Sequence, residues 1–95
     1  MKATLMLKQK LILSQTTFAE MVIWQLPAPL QGSKHDYKYR LAYVVNKQCL
    51  LRYDNEAGKG NHFHLNGQEK GYYFISPEQL LNDFFAQIKQ LENAI

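Results

Sequence analysis

The sequence has one cysteine, one tryptophan and three prolines, and it has no long apolar run. One cysteine cannot form an internal disulfide, and the two leucines that follow Cys49 suggest a buried thiol in a strand. No run approaches the roughly 20 apolar residues of a membrane-spanning helix. Lysines at positions 2, 8 and 10 interrupt any signal-peptide core. We therefore exclude a disulfide scaffold and a membrane helix, and we expect a cytoplasmic protein.

Length and charge describe a small globular protein. The chain has 95 residues, of which 46% are hydrophobic and 20% charged, and this predicts one domain, residues 1–95, with a single core. The net charge is +3, and residues 34–60 contain six basic residues against three acidic ones. This concentration of positive charge would attract an anionic partner such as RNA. A solvated basic face explains the charge equally well.

Alternating apolar and polar residues predict an antiparallel sheet of about six strands joined as hairpins. The first strand is expected at residues 3–13, with Leu5, Leu7, Leu11 and Leu13 on its apolar face. Thr17–Leu26 is expected to be a central strand with Trp24 in the core. Two further strands lie on either side of residues 46–48. A short strand that contains His62 and His64 turns at Asn66-Gly67 into a last strand, Gln68–Ile75.

The hairpin around residues 46–48 has a predicted register. A three-residue loop places Arg40 opposite Asp54, whereas a two-residue loop would place Leu41 opposite Arg52 and mix core with charge. We therefore predict the three-residue loop. One polar face of the hairpin then carries Lys38, Arg40, Arg52, Asp54 and Glu56.

The C-terminal region predicts one helix. Ser76-Pro77-Glu78-Gln79 combines an N-cap serine, a proline at the first helical position and a glutamine three residues after the cap. Apolar residues then recur at spacings of three and four, which predicts a stripe packed on the sheet. The stripe comprises Leu80, Leu81, Phe84, Phe85, Ile88, Leu91 and Ile95. The expected fold class is α+β, an antiparallel sheet packed by one C-terminal α-helix.

Most groups capable of acid–base or phosphate chemistry lie in residues 52–64, RYDNEAGKGNHFH. Histidine titrates near neutral pH, and a lysine between glycines can approach a phosphate closely. The residue types suit metal-independent RNA cleavage, in which two groups exchange protons and a cation stabilises the phosphorane. In this interpretation His62 and His64 are the acid–base pair, Lys59 and Arg52 contact phosphate, Asp54 and Glu56 orient them, and Arg40 and Lys38 bind RNA.

Two other interpretations of the same residues remain open. His62 and His64 on one face of a strand could bind a metal with an oxygen ligand from Asp54 or Glu56, but spacing two is a weak metal signal. We expect no metal and no cofactor. Alternatively, the carboxylates pair with Arg40 and Lys38 and only stabilise the hairpin. The third histidine, His35, lies in a polar loop and is expected to be solvated.

The chain resembles the TumE-type toxins of prokaryotic toxin–antitoxin systems. The resemblance runs from about Lys2 to Ile88, and it is carried by KYRLAYVV, CLLRYDNEAGKGNHFH and SPEQLLNDFFAQI. The pattern YDNE-x-GKG-x-H-x-H is its most specific part. The chain departs from the family pattern at Asn61, where aspartate is usual, and at Phe63, where a basic residue is usual.

The resemblance implies a toxin that arrests growth by acting on RNA or translation, and a helix-turn-helix antitoxin as partner. It leaves two mechanisms open. The toxin either cleaves RNA, or it binds RNA or the ribosome and inhibits by occupancy without chemistry.

Overall fold

The computed structural model describes residues 2–93. Six strands are followed by one helix: β1 (Thr4–Ile12), β2 (Thr17–Gln25), β3 (Tyr37–Val45), β4 (Gln48–Glu56), β5 (Gly60–Leu65), β6 (Gln68–Gly71) and α1 (Pro77–Asn93). The strands form one sheet in the order β1-β2-β3-β4-β5-β6, and every neighbouring pair is antiparallel. The predicted α+β class is confirmed.

The core lies between α1 and one face of the sheet. Leu80, Phe84 and Ile88 of the helix are buried against alternate residues of the central strands. The core residues contributed by the sheet are Ala19, Met21, Ile23, Tyr39, Leu41, Tyr43, Leu51 and Tyr53. Two polar contacts also tie α1 to the rest of the chain: the Tyr53 hydroxyl donates to Gln87, and the Tyr72 hydroxyl donates to Asp83 at 2.6 Å.

A β-bulge sets the register between β3 and β4. The connection has two residues rather than the predicted three, since β4 begins at Gln48, and both Asn46 and Lys47 have positive φ (50° and 68°) as in a tight hairpin turn. The pairing then shifts between Tyr43 and Val44, which leaves Leu50 as an extra residue. Beyond the bulge Arg40 faces Asp54 and Leu41 faces Tyr53. The predicted loop was wrong, but this predicted register is confirmed.

Several residues expected in the core are exposed. Trp24 lies on the face of the sheet that α1 does not cover, on the same side of β2 as Glu20, and is 36% exposed. Cys49 is also exposed, one residue before the bulge. In β1, an irregular pairing between Leu5 and Leu7 places Leu5 opposite Trp24. The expected core residues that are exposed are Leu5, Leu13, Trp24, Cys49 and Phe85.

The C-terminal elements follow the prediction with shorter bounds. β6 ends at Gly71 instead of Ile75, although Tyr72 still donates its backbone N–H to Asn61. Ser76 is the predicted N-cap, since its hydroxyl accepts the Gln79 N–H at 3.1 Å. The predicted stripe residue Ile95 lies outside the described residues. Within residues 2–93, no helix is long and apolar enough to cross a membrane.

The tyrosines of the core predict alkaline sensitivity. Burial, with a smaller contribution from Asp83, raises the pKa of Tyr53 to about 12, and burial together with the hydrogen bond to Asp83 raises the pKa of Tyr72. Both groups ionise more readily in the unfolded chain, near pH 10. Their contribution to stability is therefore complete below about pH 10 and declines as the pH rises above it, and the contribution of Tyr53 is lost as the pH passes about 12.

Urea unfolding measured at a series of pH values should show this loss, at most about 1.4 kcal/mol per pH unit for each tyrosine. Tyr53→Phe should flatten the decline above pH 10. Tyr73→Phe is the matched control, because the Tyr73 side chain is 83% exposed. An equal decline in wild type and Tyr53→Phe would contradict the assignment.

Candidate functional site

The face of the sheet opposite α1, called here the open face, carries the polar residues of the central strands. Residues that pair across neighbouring strands point to the same side of a sheet. One cross-strand row contains Arg40, Asp54 and His62, and the adjacent row contains Ala42, Arg52, His64 and Glu69. The pairing of β3 to β6 therefore brings together residues that are far apart in the sequence.

Four of these residues form a cluster with two histidines and two carboxylates. His62 Nε2 lies 2.6 Å from Asp54 Oδ1 and 3.5 Å from Glu69 Oε1, and His64 Nε2 lies 3.9 Å from the same Glu69 oxygen. The two imidazole rings are 5.1 Å apart and nearly perpendicular. We call Asp54, His62, His64 and Glu69 the histidine cluster.

His62 is the fixed member of the histidine cluster. Its side chain is 6% exposed, and its Nδ1 lies 3.1 Å from the Gly60 carbonyl oxygen. Because a carbonyl oxygen only accepts, Nδ1 carries a proton and Nε2 faces the carboxylates. His64, at 28% exposed, is the histidine that a solute can reach.

Asp54 holds the histidine cluster next to a cation. Its Oδ2 lies 3.1 Å from Arg52 Nε, and its Oδ1 faces His62. Among the residues that the structure describes, neither Arg52 Nε nor Asp54 Oδ1 has a well-aligned hydrogen bond, although both atoms are buried. Arg40 lies opposite Asp54 in the register, but within residues 2–93 the carboxylate makes its close contacts with Arg52 and His62. The alternative in which Asp54 pairs with Arg40 is therefore wrong.

A groove of about 470 Å³ runs along the open face beside the histidine cluster. Trp24 and Val22 supply apolar surface, and three basic side chains supply positive charge. Asp54 and Arg52 line the groove at the end where it meets the histidine cluster. The remaining lining side chains include Lys38, Arg40 and Glu56.

Asn55 joins β3 to β4 where their ladder ends. Its side chain is on the buried side of β4, where Oδ1 accepts the Tyr39 N–H at 2.9 Å and Nδ2 donates to the Tyr37 carbonyl at 2.8 Å. The residue is 1% exposed. Lys38 also donates to the Asn55 carbonyl oxygen, at 3.2 Å. Asn55 therefore fixes the strand ends that present Lys38 and Arg40 to the groove.

His35 and Asn61 belong to a separate, structural group. Asn61 Oδ1 accepts from the Tyr39 hydroxyl and from His35 Nε2, each at 2.8 Å. The His35 ring stacks on Phe74 with centroids 3.9 Å apart. We expected His35 to be solvated, but its side chain is packed and hydrogen-bonded. Asparagine at position 61 does not remove a carboxylate from the histidine cluster, because its side chain binds elsewhere.

The structure brings together most of the site residues predicted from the sequence. Asp54, His62 and His64 belong to the histidine cluster, while Lys38, Arg40, Arg52 and Glu56 line the groove. Lys59 is exposed in the turn between β4 and β5, and within residues 2–93 no side-chain hydrogen bond or ion pair connects it to the histidine cluster.

Sequence reasoning missed Glu69 and misplaced Trp24. The Asn66-Gly67 turn contained the signal for Glu69, because a two-residue loop puts Glu69 directly opposite His64, as observed. The signal for Trp24 was Glu20, the one charged residue of β2, which lies four positions earlier and therefore on the same side of the strand.

The fold and site define a small α+β protein with one open, charged face that carries a groove and a histidine cluster. Residues 2–92 match the family model described as Toxin TumE. No curated protein and no solved structure shows a significant match to the chain. Because the family match covers nearly all of the chain, this protein belongs to the TumE toxin family. It is the toxin component of a toxin–antitoxin system, and its family implies a cognate antitoxin.

The role of Asn55 generates a stability prediction. Asn55→Ala would leave the buried Tyr39 N–H and Tyr37 carbonyl without these partners, and each unsatisfied group costs about 1–3 kcal/mol. We expect a loss of about 2–4 kcal/mol in the free energy of unfolding, measured by denaturant titration. Asn82→Ala, on the exposed side of α1, is the matched control. A change below about 0.5 kcal/mol for Asn55→Ala would contradict the bridging role.

Proposed function

We propose that this toxin arrests growth by binding RNA across the open face and cleaving it beside the histidine cluster. The observation that supports the proposal most strongly is that Asp54 belongs to both features. It lines the groove and is a member of the histidine cluster, and Arg52, another residue of the groove, contacts its carboxylate. An RNA strand held in the groove would therefore place a phosphate next to groups capable of proton transfer.

The groove has the two properties that single-stranded RNA needs. Lys38, Arg40 and Arg52 provide positive charge for the backbone, and the exposed ring of Trp24 provides a surface on which a base can stack. Base stacking on an aromatic side chain contributes about 1–3 kcal/mol and tolerates any base. Such binding would be strongly salt-dependent and weakly sequence-specific. Lys59 and Glu56 would contact the strand at the rim of the site.

Cleavage of RNA by its own 2′-hydroxyl needs a proton acceptor, a proton donor and a positive charge. The 2′-oxygen forms a bond to phosphorus as it loses its proton, and the bond from phosphorus to the 5′-oxygen breaks as that oxygen gains one. Arg52 is the cation placed to stabilise the phosphorane. His64 is the exposed proton acceptor of the histidine cluster and takes the proton of the 2′-hydroxyl. Both nitrogens of His62 face protein oxygens, so the leaving 5′-oxygen takes its proton from a water molecule at the exposed side of the cluster.

A second function, inhibition by occupancy, uses the same groove. Trp24 and the three basic residues would hold RNA, free or on the ribosome, without any reaction. This alternative assigns no catalytic role to the histidine cluster. The two functions therefore differ in what substitution of His64 should do.

Incubation of the purified protein with cellular RNA should give discrete fragments. His64→Ala should reduce cleavage by at least about 100-fold, as is usual for the loss of an acid–base group, and should leave RNA affinity nearly unchanged. Arg40→Ala should weaken RNA binding and reduce the slope of log affinity against log salt by about one. Lys89→Ala, which removes an exposed charge from α1, is the control for Arg40→Ala.

Intact RNA under all conditions, with growth arrest retained by His64→Ala, would reject cleavage in favour of occupancy. RNA binding that Arg40→Ala and Lys89→Ala weaken equally would reject the groove itself. Melting temperatures distinguish these outcomes from unfolding. Arg40 is exposed, so Arg40→Ala should change stability by less than about 1 kcal/mol.

We further propose that the antitoxin is a helix-turn-helix protein encoded by the neighbouring gene, and that it covers the groove and the rim of the histidine cluster. Expression of the toxin alone should slow growth, and co-expression should restore it. Chemical footprinting of the complex should show protection of Lys59 and His64. His62 is no useful reporter, because it is already buried in the free toxin. Protection confined to α1 would contradict masking and indicate inhibition at a distance.

A further inference from the structure

We propose that the histidine cluster binds one divalent transition-metal ion, with Zn²⁺ as the first candidate. The ligands are His62 Nε2, His64 Nε2 and the Asp54 carboxylate, and Glu69 completes the set. Ligand atoms of Asp54, His62 and His64 all lie within 4.8 Å of one another. His64 cannot bind the ion through Nε2 and accept a proton there at the same time, so the metal-bound toxin and the metal-free toxin that cleaves RNA are alternative states. Binding is therefore tested without RNA, and cleavage is tested in chelator.

The orientation of His62 is that of a metal ligand. A ligating histidine usually donates its second ring N–H to a carbonyl or carboxylate oxygen, which fixes both the tautomer and the ring plane. The Gly60 carbonyl oxygen occupies that position, 3.1 Å from Nδ1. The lone pair of Nε2 is thereby directed into the histidine cluster, at a side chain that is almost fully buried.

The contact between His62 and Asp54 needs a positive charge between the two atoms. Nε2 and Oδ1 are 2.6 Å apart, and two facing lone pairs at that distance repel each other. A proton would relieve the repulsion at this distance. A metal ion would also relieve it once the two atoms move apart to ligand spacing, with Asp54 Oδ1 turned toward the ion.

The other members of the histidine cluster favour the metal over the proton. One proton on Nε2 can serve one acceptor, but Asp54 and Glu69 both face this nitrogen, and His64 faces Glu69 as well. With metal–ligand bonds of about 2.0–2.2 Å, ligand atoms of a tetrahedral site lie roughly 3.3–3.6 Å apart. Glu69 Oε1 lies 3.5 Å and 3.9 Å from the two histidine nitrogens, close to this spacing.

The donor types limit the choice of metal. Two imidazoles with two carboxylates suit Zn²⁺ and its divalent neighbours, whereas Mg²⁺ and Ca²⁺ prefer sites made only of oxygen. Two carboxylates neutralise the ion's charge, and Arg52 beside Asp54 offsets part of their negative charge when no ion is bound. Two histidines at spacing two were a weak signal in the sequence, and folding adds Asp54 and Glu69 to them.

The exposure of Glu69 gives this site a position that can open. Glu69 lies on the short edge strand β6 and is half exposed, unlike Asp54 and His62. Its carboxylate can move aside without disturbing the core. A site with three retained ligands and one displaceable ligand is the arrangement that admits water or a phosphate oxygen to a zinc ion.

Metal binding should be measured on tag-free protein that has been stripped with a chelator and then titrated with Zn²⁺ by calorimetry. We expect one ion per chain and a rise in melting temperature, since an ion bound only by the folded state stabilises it. His64→Ala and Glu69→Gln should each weaken Zn²⁺ binding at least tenfold. The controls are His35→Gln, which removes the histidine outside the cluster, and Glu92→Gln on α1, and both should retain binding.

The proposal would be overturned if wild-type protein bound no Zn²⁺ up to millimolar concentration, or if His64→Ala bound it as tightly as wild type. Circular dichroism of each variant separates loss of the site from loss of the fold. RNA cleavage is measured in a separate assay, so its outcome is independent of the Zn²⁺ titration. Zn²⁺ binding without RNA cleavage would leave this site intact and reject the proposed reaction, whereas cleavage in chelator without Zn²⁺ binding would do the reverse.

Discussion

Leu50 has no partner in the pairing of β3 with β4, and the position of every later side chain in β4 depends on that bulge. A strand has a side-chain period of two, so a shift of one residue moves all its side chains to the opposite face. With the observed two-residue turn and no bulge, Arg52 would pair with Leu41 instead of Ala42. The extra residue keeps Tyr53 in the core and places Arg52 and Asp54 on the open face.

Once β4 is placed, β5 and β6 complete the site by simple pairing. Asp54 pairs with His62, Arg52 pairs with His64, and His64 pairs in turn with Glu69. The histidine cluster is therefore built from two adjacent cross-strand rows on a backbone that α1 supports from the other side. A rigid sheet positions ligands and catalytic groups more accurately than a loop does. The exposed turn that contains Lys59 lacks that support, although it contains the most conspicuous glycine-lysine-glycine sequence.

Side chains alternate between the two faces along each strand, so functional residues lie on the open face and core residues lie on the face that α1 covers. Tyr53, which packs under α1, lies between Arg52 and Asp54, and Phe63 lies between the two histidines and stacks on Tyr53. Phe63 thus contributes to the core. Asn61 is likewise a structural residue, hydrogen-bonded to Tyr39 and His35. Neither residue belongs to the histidine cluster.

The sequence by itself determined the antiparallel sheet, the capped helix, the register of Arg40 with Asp54 and the grouping of His62 with His64. The register followed from keeping apolar residues opposite one another, although the predicted turn length was wrong, and the other features follow from local alternation and capping. Only the tertiary structure decided that Asp54 contacts Arg52 and His62 rather than Arg40, and that Trp24 and the basic side chains of β3 and β4 line one groove. These contacts depend on packing across the whole sheet and on a bulge in β4 that no local pattern predicts.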